Sequence, residues 1–86
     1  MRAIQFDPDA FRDYLEWSRA DKSVFTKINE LLLEAARTPF HGKGKPEPLK
    51  RNWAGYWSRR ITDEHRLIYK VDDEKITVAS VHGHYN

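Results

Sequence analysis

Pro39 divides the chain into two parts with different hydrophobic periods, and that division restricts the fold more than any other feature of the 86 residues. Before it, apolar residues recur at helical spacing. After it, glycines and prolines interrupt a loop, and the apolar residues then fall in short β-type runs. Helices first and strands afterwards, in a chain long enough for one core that buries roughly 60 to 65% of its unfolded surface, predict a single α+β domain over residues 1–86.

In the first part, Arg2 to Phe6 is a short apolar stretch suited to a strand, and Asp7-Pro8 offers an N-cap followed by proline at the first helical position. Phe11, Tyr14, Leu15 and Ser18 then mark one face of a helix, with Trp17 beside the stripe. Asp21 caps a second helix, in which Val24, Phe25, Ile28, Leu31, Leu32 and Ala35 keep the helical period until Thr38-Pro39 forbids continuation. The two make a helical hairpin whose apolar faces need a sheet to cover.

The segment from Phe40 to Pro48 is too rich in glycine and proline for a regular element. Three strands are predicted beyond it, Tyr56 to Ile61, His65 to Val71 and Lys75 to Val81. The short polar connections Thr62-Asp63-Glu64 and Asp72-Asp73-Glu74 make them an antiparallel meander. Alternation assigns Leu67, Tyr69 and Val71 to the face under the helices, and Arg66, Ile68 and Lys70 to the face that looks away.

Charge follows the same division. Met1 to Ala36 carries five Lys/Arg against seven Asp/Glu, whereas Arg37 to Lys70 carries nine (Arg37, Lys43, Lys45, Lys50, Arg51, Arg59, Arg60, Arg66, Lys70) against three (Glu47, Asp63, Glu64). A segment of net charge +6 interleaved with Trp53, Tyr56 and Trp57 suits a polyanion with faces to stack, hence a nucleic acid. The absence of cysteine removes disulfides and thiolate metal sites, and no apolar run reaches a membrane span or a signal sequence, so a cytoplasmic protein is expected. His82 and His84 sit at alternate positions, but a metal would need a third ligand and only His41 and His65 could add an imidazole, so no metal or other cofactor is expected.

Cleaving RNA without a metal requires a base for the 2′-hydroxyl proton, a cation for the charge on phosphorus, and an acid for the departing 5′-oxygen. Glu47, Arg66 and His84 are of the right types. With reference pKa values of roughly 4.3 and 6.5, glutamate suits the base and histidine the acid near neutrality.

The blocks KINELL, TPFHGKGKPEPLK and GYWSRRITDEHRLIY and the terminal HY resemble the YoeB toxins of the RelE superfamily, in order and over nearly the whole chain. The resemblance implies a microbial-ribonuclease-like fold with two helices packed on a mostly antiparallel sheet. It also implies a metal-independent endoribonuclease that cuts mRNA in the ribosomal A site and leaves a 2′,3′-cyclic phosphate or its 3′-phosphate product. By motif, Glu47 is then the general base, Arg66 the phosphate stabiliser and His84 the general acid; Tyr85 orients the substrate, and Lys50 and Arg60 bind phosphate.

The implied partners are the ribosome with its mRNA, a YefM-like antitoxin whose acidic disordered segment wraps the toxin, operator DNA reached through that antitoxin, and a second copy in a homodimer. Two features depart from the family. Asn86 follows the terminal tyrosine, and Gly83 stands where it would loosen the strand end that aims His84. The competing readings are a catalytically inactive corepressor acting only in the antitoxin complex, and a general ribonuclease on free RNA.

Overall fold

The computed structural model describes residues 1–83 of the chain. Strand β1 (Ala3–Phe6) leads into helices α1 (Pro8–Ala20) and α2 (Lys22–Arg37), and a long loop reaches the two-residue strand β2 (Glu47–Pro48). A single 3-10 turn (Arg51–Trp53) precedes the meander β3 (Tyr56–Arg60), β4 (Arg66–Val71) and β5 (Lys75–Ser80). The five strands form one sheet in the order β1-β5-β4-β3-β2, antiparallel throughout except where β1 runs parallel to β5. The α+β architecture expected from the order of the elements is the one observed.

Each element begins and ends for local reasons. The Asp21 carboxylate accepts the backbone N–H of Ser23 at 3.0 Å and of Val24 at 3.1 Å, satisfying two of the four donors that open α2. The predicted cap at Asp7 is different: its side chain makes no cap hydrogen bond, and its N–H instead donates to Val78 O at 2.9 Å. Asp7 therefore extends the pairing of β1 with β5 before the helix starts. The Tyr14 hydroxyl donates to Asn29 Oδ1 at 2.6 Å and ties α1 to α2.

One sheet face packs under the helices. Ile28, Leu31, Leu32, Ala35 and Ala36 of α2 join Leu67, Tyr69, Ile76, Val78 and Val81 in a single core, with Trp57 and Val71 packed against it. Predicted and observed faces agree for α2 and the meander. They differ for α1, where the buried side is Ala10, Tyr14 and Trp17, while Phe11 and Leu15 remain 45% and 43% exposed. Ala10 is fully buried because a small side chain lets the helix approach the core closely, and Trp17 turns inward to donate its indole N–H to Val81 O at 2.9 Å. Positions 10, 14 and 17 obey the helical period as well as 11, 14, 15 and 18 do, so the period was right and its phase was not.

The connection between β4 and β5 is an Asx turn. Asp72 Oδ1 accepts the N–H groups of Glu74 (2.8 Å) and Lys75 (2.9 Å), and Oδ2 pairs with Lys75 Nζ at 3.0 Å. The Glu74 N–H first, then the Lys75 contacts, hold the Asp72 carboxyl down to about 2 from its ordinary 3.8. A carboxylate whose folded pKa is depressed stabilises above its unfolded pKa, and that contribution is lost as pH falls from about 4 toward about 2. Asp72→Ala should accordingly lower the melting temperature at pH 6, and the gap from wild type should narrow across that acid window. Parallel melting curves at pH 6, 4 and 2.5 check this.

Candidate active site

The face of the sheet turned away from the helices carries the polar side chains, and the strand register fixes which of them are neighbours. Glu47 lies opposite Ser58, Ser58 opposite Ile68, and Ile68 opposite Ser80, forming one row across four strands. The adjacent row pairs Arg60 directly with Arg66, and the row on the other side runs Tyr56, Lys70, Thr77. Alternation puts those of β3 and β4 on one face, and an irregularity in the β4–β5 pairing between Ile68 and Tyr69 brings Ser80 opposite Ile68 although it stands three positions beyond Thr77. Glu47 and Arg66 are separated by the single strand β3 and by two residues along it, which puts their backbones about 12 Å apart, a gap that two long side chains can close around one phosphate.

Two arginines directly opposite each other are unfavourable neighbours unless an anion lies between them. Arg60 is exposed. Arg66 is half-buried, and its Nη1 donates to the carbonyls of Thr62 (2.8 Å), Asp63 (3.2 Å) and His65 (3.3 Å). The β3–β4 turn thus sets the guanidinium against the sheet through neutral carbonyls. None of the four ion pairs among the described residues engages Arg60, Arg66 or Lys50. Lys50 is exposed and opens the 3-10 turn, its carbonyl accepting the Trp53 N–H at 3.1 Å.

His84 and Tyr85 lie outside the described residues, but the chain leading to them is fixed. Trp17 holds Val81 as noted above, the Gly83 N–H donates to His65 Nδ1 at 2.8 Å, and the Arg66 N–H donates to Gly83 O at 3.0 Å. The His65 and His82 rings lie 4.7 Å apart, centroid to centroid, and Trp17 meets His65 edge-on at 4.9 Å. Gly83 has φ +77°, a left-handed conformation that glycine adopts without strain, and both its N–H and C=O are engaged. The expectation that Gly83 loosens the strand end is therefore corrected. Residue 83 makes a tethered turn beside the Arg66 backbone. His82 is likewise in that turn and not on β5, so strand alternation does not relate it to His84. Among the described residues no three His, Cys, Asp or Glu side chains are grouped to hold a metal ion.

Two parts of the basic segment are reassigned. Arg59 is fully buried on the helix side of the sheet and belongs to no surface. Trp57 also points to that side, packing on the core with the Phe40 ring 5.0 Å away. Trp53 and Tyr56 are half-buried and meet edge-on at 5.1 Å, with Lys70 Nζ 5.9 Å from the Tyr56 ring centre. Of the three aromatic residues weighed for stacking, Trp57 is excluded. Ser58 and Ser80, which flank Ile68 in the Glu47 row, were not singled out in the sequence; only register reveals them.

Residues 6–85 match the family model of the YoeB-like toxin of bacterial type II toxin-antitoxin systems. Toxin YoeB of Escherichia coli K12 is 54% identical over 77 residues, covering 90% of this chain and 92% of that protein. Among solved structures, the YoeB dimer from Staphylococcus aureus superposes with a TM-score of 0.90 at 50% identity, covering 98% of each chain. The YoeB-YefM complex from the same organism gives 0.89 at 49% identity, covering 99% of each. A family match spanning nearly the whole chain, together with a superposable fold at half identity, means that the chain belongs to the YoeB-like toxins of bacterial type II toxin-antitoxin systems.

Proposed function

We propose that the chain is a ribosome-dependent mRNA endoribonuclease that cleaves by attack of the substrate's own 2′-hydroxyl. The observation that carries the proposal is the sheet face turned away from the helices, where Arg60 on the strand next to Glu47 and Arg66 on the strand after it are paired two positions along from the Glu47 row, whose inner members Ser58 and Ile68 are buried. Glu47 takes the 2′-hydroxyl proton, and the 2′-oxygen attacks phosphorus. Arg66, with Arg60 and Lys50, balances the charge gathering on the phosphoryl oxygens. The 5′-oxygen then leaves with a proton from His84, while Tyr85 orients the nucleotide. Glu47, Arg60 and Arg66 share this face, and fixed donors there act as charge that need not reorganise. No metal or cofactor enters these steps.

The chemistry of the cut ends tests the reading. Purified chain with a translated mRNA should give a 5′-hydroxyl on one fragment and a 2′,3′-cyclic phosphate or 3′-phosphate on the other. A 5′-phosphate facing a 3′-hydroxyl would mean attack by water and would overturn it.

The same surface is the proposed docking place for a YefM-type antitoxin, in keeping with the YoeB-YefM complex of the S. aureus relative, and through it the chain would reach operator DNA. The dimeric S. aureus relative supports self-association as well. An acidic antitoxin segment and RNA would compete for one positive face. No helix among the described residues is long and apolar enough to cross a membrane, and a cytoplasmic site of action is part of the same proposal.

Phosphate contacts release condensed counterions, so ribosome binding should weaken as salt rises. Lys50→Ala and Arg60→Ala should each weaken binding and flatten that dependence, by about one unit of log Kd against log salt concentration for each phosphate no longer neutralised. Titrating labelled ribosomes at several salt concentrations measures the slope. A dissociation constant indifferent to salt would count against the basic face as the RNA surface.

A further inference from the structure

Arg59 has no place in the chemistry above, yet it is a fully buried cation in a small domain. Burying a charge costs several kcal/mol unless hydrogen bonds replace its water, so what surrounds it indicates its use. Its Nε donates to the Tyr69 hydroxyl at 2.9 Å and its Nη1 to Lys43 O at 2.8 Å. Its Nη2 donates to Thr38 O at 2.6 Å and to His41 O at 3.1 Å. The Tyr69 hydroxyl in turn donates a hydrogen bond to Pro39 O at 2.6 Å. Every one of these acceptors except the phenol is a backbone carbonyl of the segment between α2 and β2.

That segment is closed from its other sides too. The Glu34 carboxylate pairs with Arg37 at 2.7 Å and accepts the Lys43 N–H at 3.4 Å, contacts that hold its pKa below the ordinary carboxylate value. The Arg60 N–H donates to Gly44 O at 2.7 Å. Gly44 has φ +86°, and a Cβ there would lie 2.9 Å from Leu31 Cδ2 and 3.0 Å from Arg59 Cβ, so the backbone rests directly on Arg59 and the core. Three residues beyond Gly44 stands Glu47.

We infer that Arg59 and Tyr69 are positioning residues that fix the 38–44 segment from beneath and so set Glu47 at its height and register on the opposite face of the sheet. This rests on Glu47 being the base. One strand then serves both sides of the sheet: Arg59 clamps the loop on the core side, and its neighbour Arg60 faces the phosphate. Misplacing a reacting group by about 1 Å can cost up to 10²-fold in rate, whereas substrate affinity, set mainly by the phosphate contacts, should change little.

The test uses the whole chain on ribosome-bound mRNA, under single-turnover conditions, with Tyr69→Phe, Arg59→Lys and Glu47→Gln. Tyr69→Phe removes the hydroxyl at the centre of the clamp and keeps the ring in the core. It should lower the cleavage rate about tenfold, with the half-saturating ribosome concentration within about twofold of wild type. Combined with Glu47→Gln it should slow the residual reaction by less than twofold, because a clamp that acts through the base has nothing left to position. Arg59→Lys should lie in the same direction and share that loss of effect.

An unchanged rate in Tyr69→Phe overturns the inference. So does an equal slowing with and without the Glu47→Gln substitution, which is what general destabilisation would produce. Should the rates prove too low to compare, amide exchange on Tyr69→Phe decides. Faster exchange at Lys43 and Glu47, with the α2 core amides unchanged, supports the clamp; exchange unchanged throughout, or accelerated throughout, refutes it. Failure of the ribonuclease reading itself would show separately, as wild-type chain that does not cut.

Discussion

A single 2′-deoxy nucleotide on the 5′ side of the cut is expected to abolish cleavage of an otherwise identical mRNA while leaving its binding nearly unchanged. In the proposed reaction the nucleophile belongs to the substrate, so removing one oxygen removes the reaction and leaves every phosphate in place. Most of the affinity comes from those phosphates, and the 2′-hydroxyl adds little beside them. The loss should therefore fall on the chemical step alone. Single-turnover cleavage and equilibrium binding of the two substrates to the same toxin-loaded ribosomes measure this. An undiminished rate on the deoxy substrate would exclude internal transesterification.

Glu47→Ala, Arg66→Ala and His84→Ala should each reduce the single-turnover rate on the order of 10² or more, since each removes a proton carrier or a fixed charge used in the transition state. Expression of the wild-type chain without an antitoxin should stop growth, and each variant should relieve it at equal expression. Glu47 is exposed at the far edge of the sheet, so its loss should leave the melting temperature within a few degrees of wild type. Arg66 is different: its guanidinium grips the carbonyls of residues 62, 63 and 65, and Arg66→Ala should also destabilise the β3–β4 turn. Arg66→Lys keeps the charge but not the planar fork, and separates the two effects. If the triple variant were as toxic as wild type, the site assignment would be wrong.

How much of this could be read from the chain depended on whether the signal was local. Helix α2 was legible because its period, its Asp21 cap and its Pro39 stop agree. The meander was legible because its connections are too short for anything but antiparallel neighbours. The phase of α1 was misread because Phe11 and Leu15 outweigh Ala10 in apolar bulk, although the small residue is the one that fits at close approach. The parallel pairing of β1 with β5 joins residues about seventy positions apart, and β2 is only two residues, Glu47 and Pro48, directly after Pro46; neither leaves a local trace.

Among the site residues, Glu47, Arg60 and Arg66 do share a face, and the register that unites them depends on that unseen strand β2. His84 and Tyr85 lie beyond the described residues. Arg59 could have been recognised: Trp57 and Arg59 on β3 and Ile61 just after it alternate on the apolar side, the same parity that assigned Leu67 and Tyr69 to the core. A charge on the buried parity of a strand signals a structural cation. Counting it with the surface basic residues overstated the charge available to RNA.

The central claim, a 2′-hydroxyl-dependent cut made on the ribosome, is tested most directly by mapping 5′ ends along one translated mRNA with purified chain, in the presence and absence of 70S ribosomes. The account predicts discrete ends within the A-site codon when ribosomes are present, lost with Glu47→Ala, and none on the same RNA alone. Equal cutting of free RNA, or no cutting on the ribosome by a chain that folds and binds it, would contradict the account.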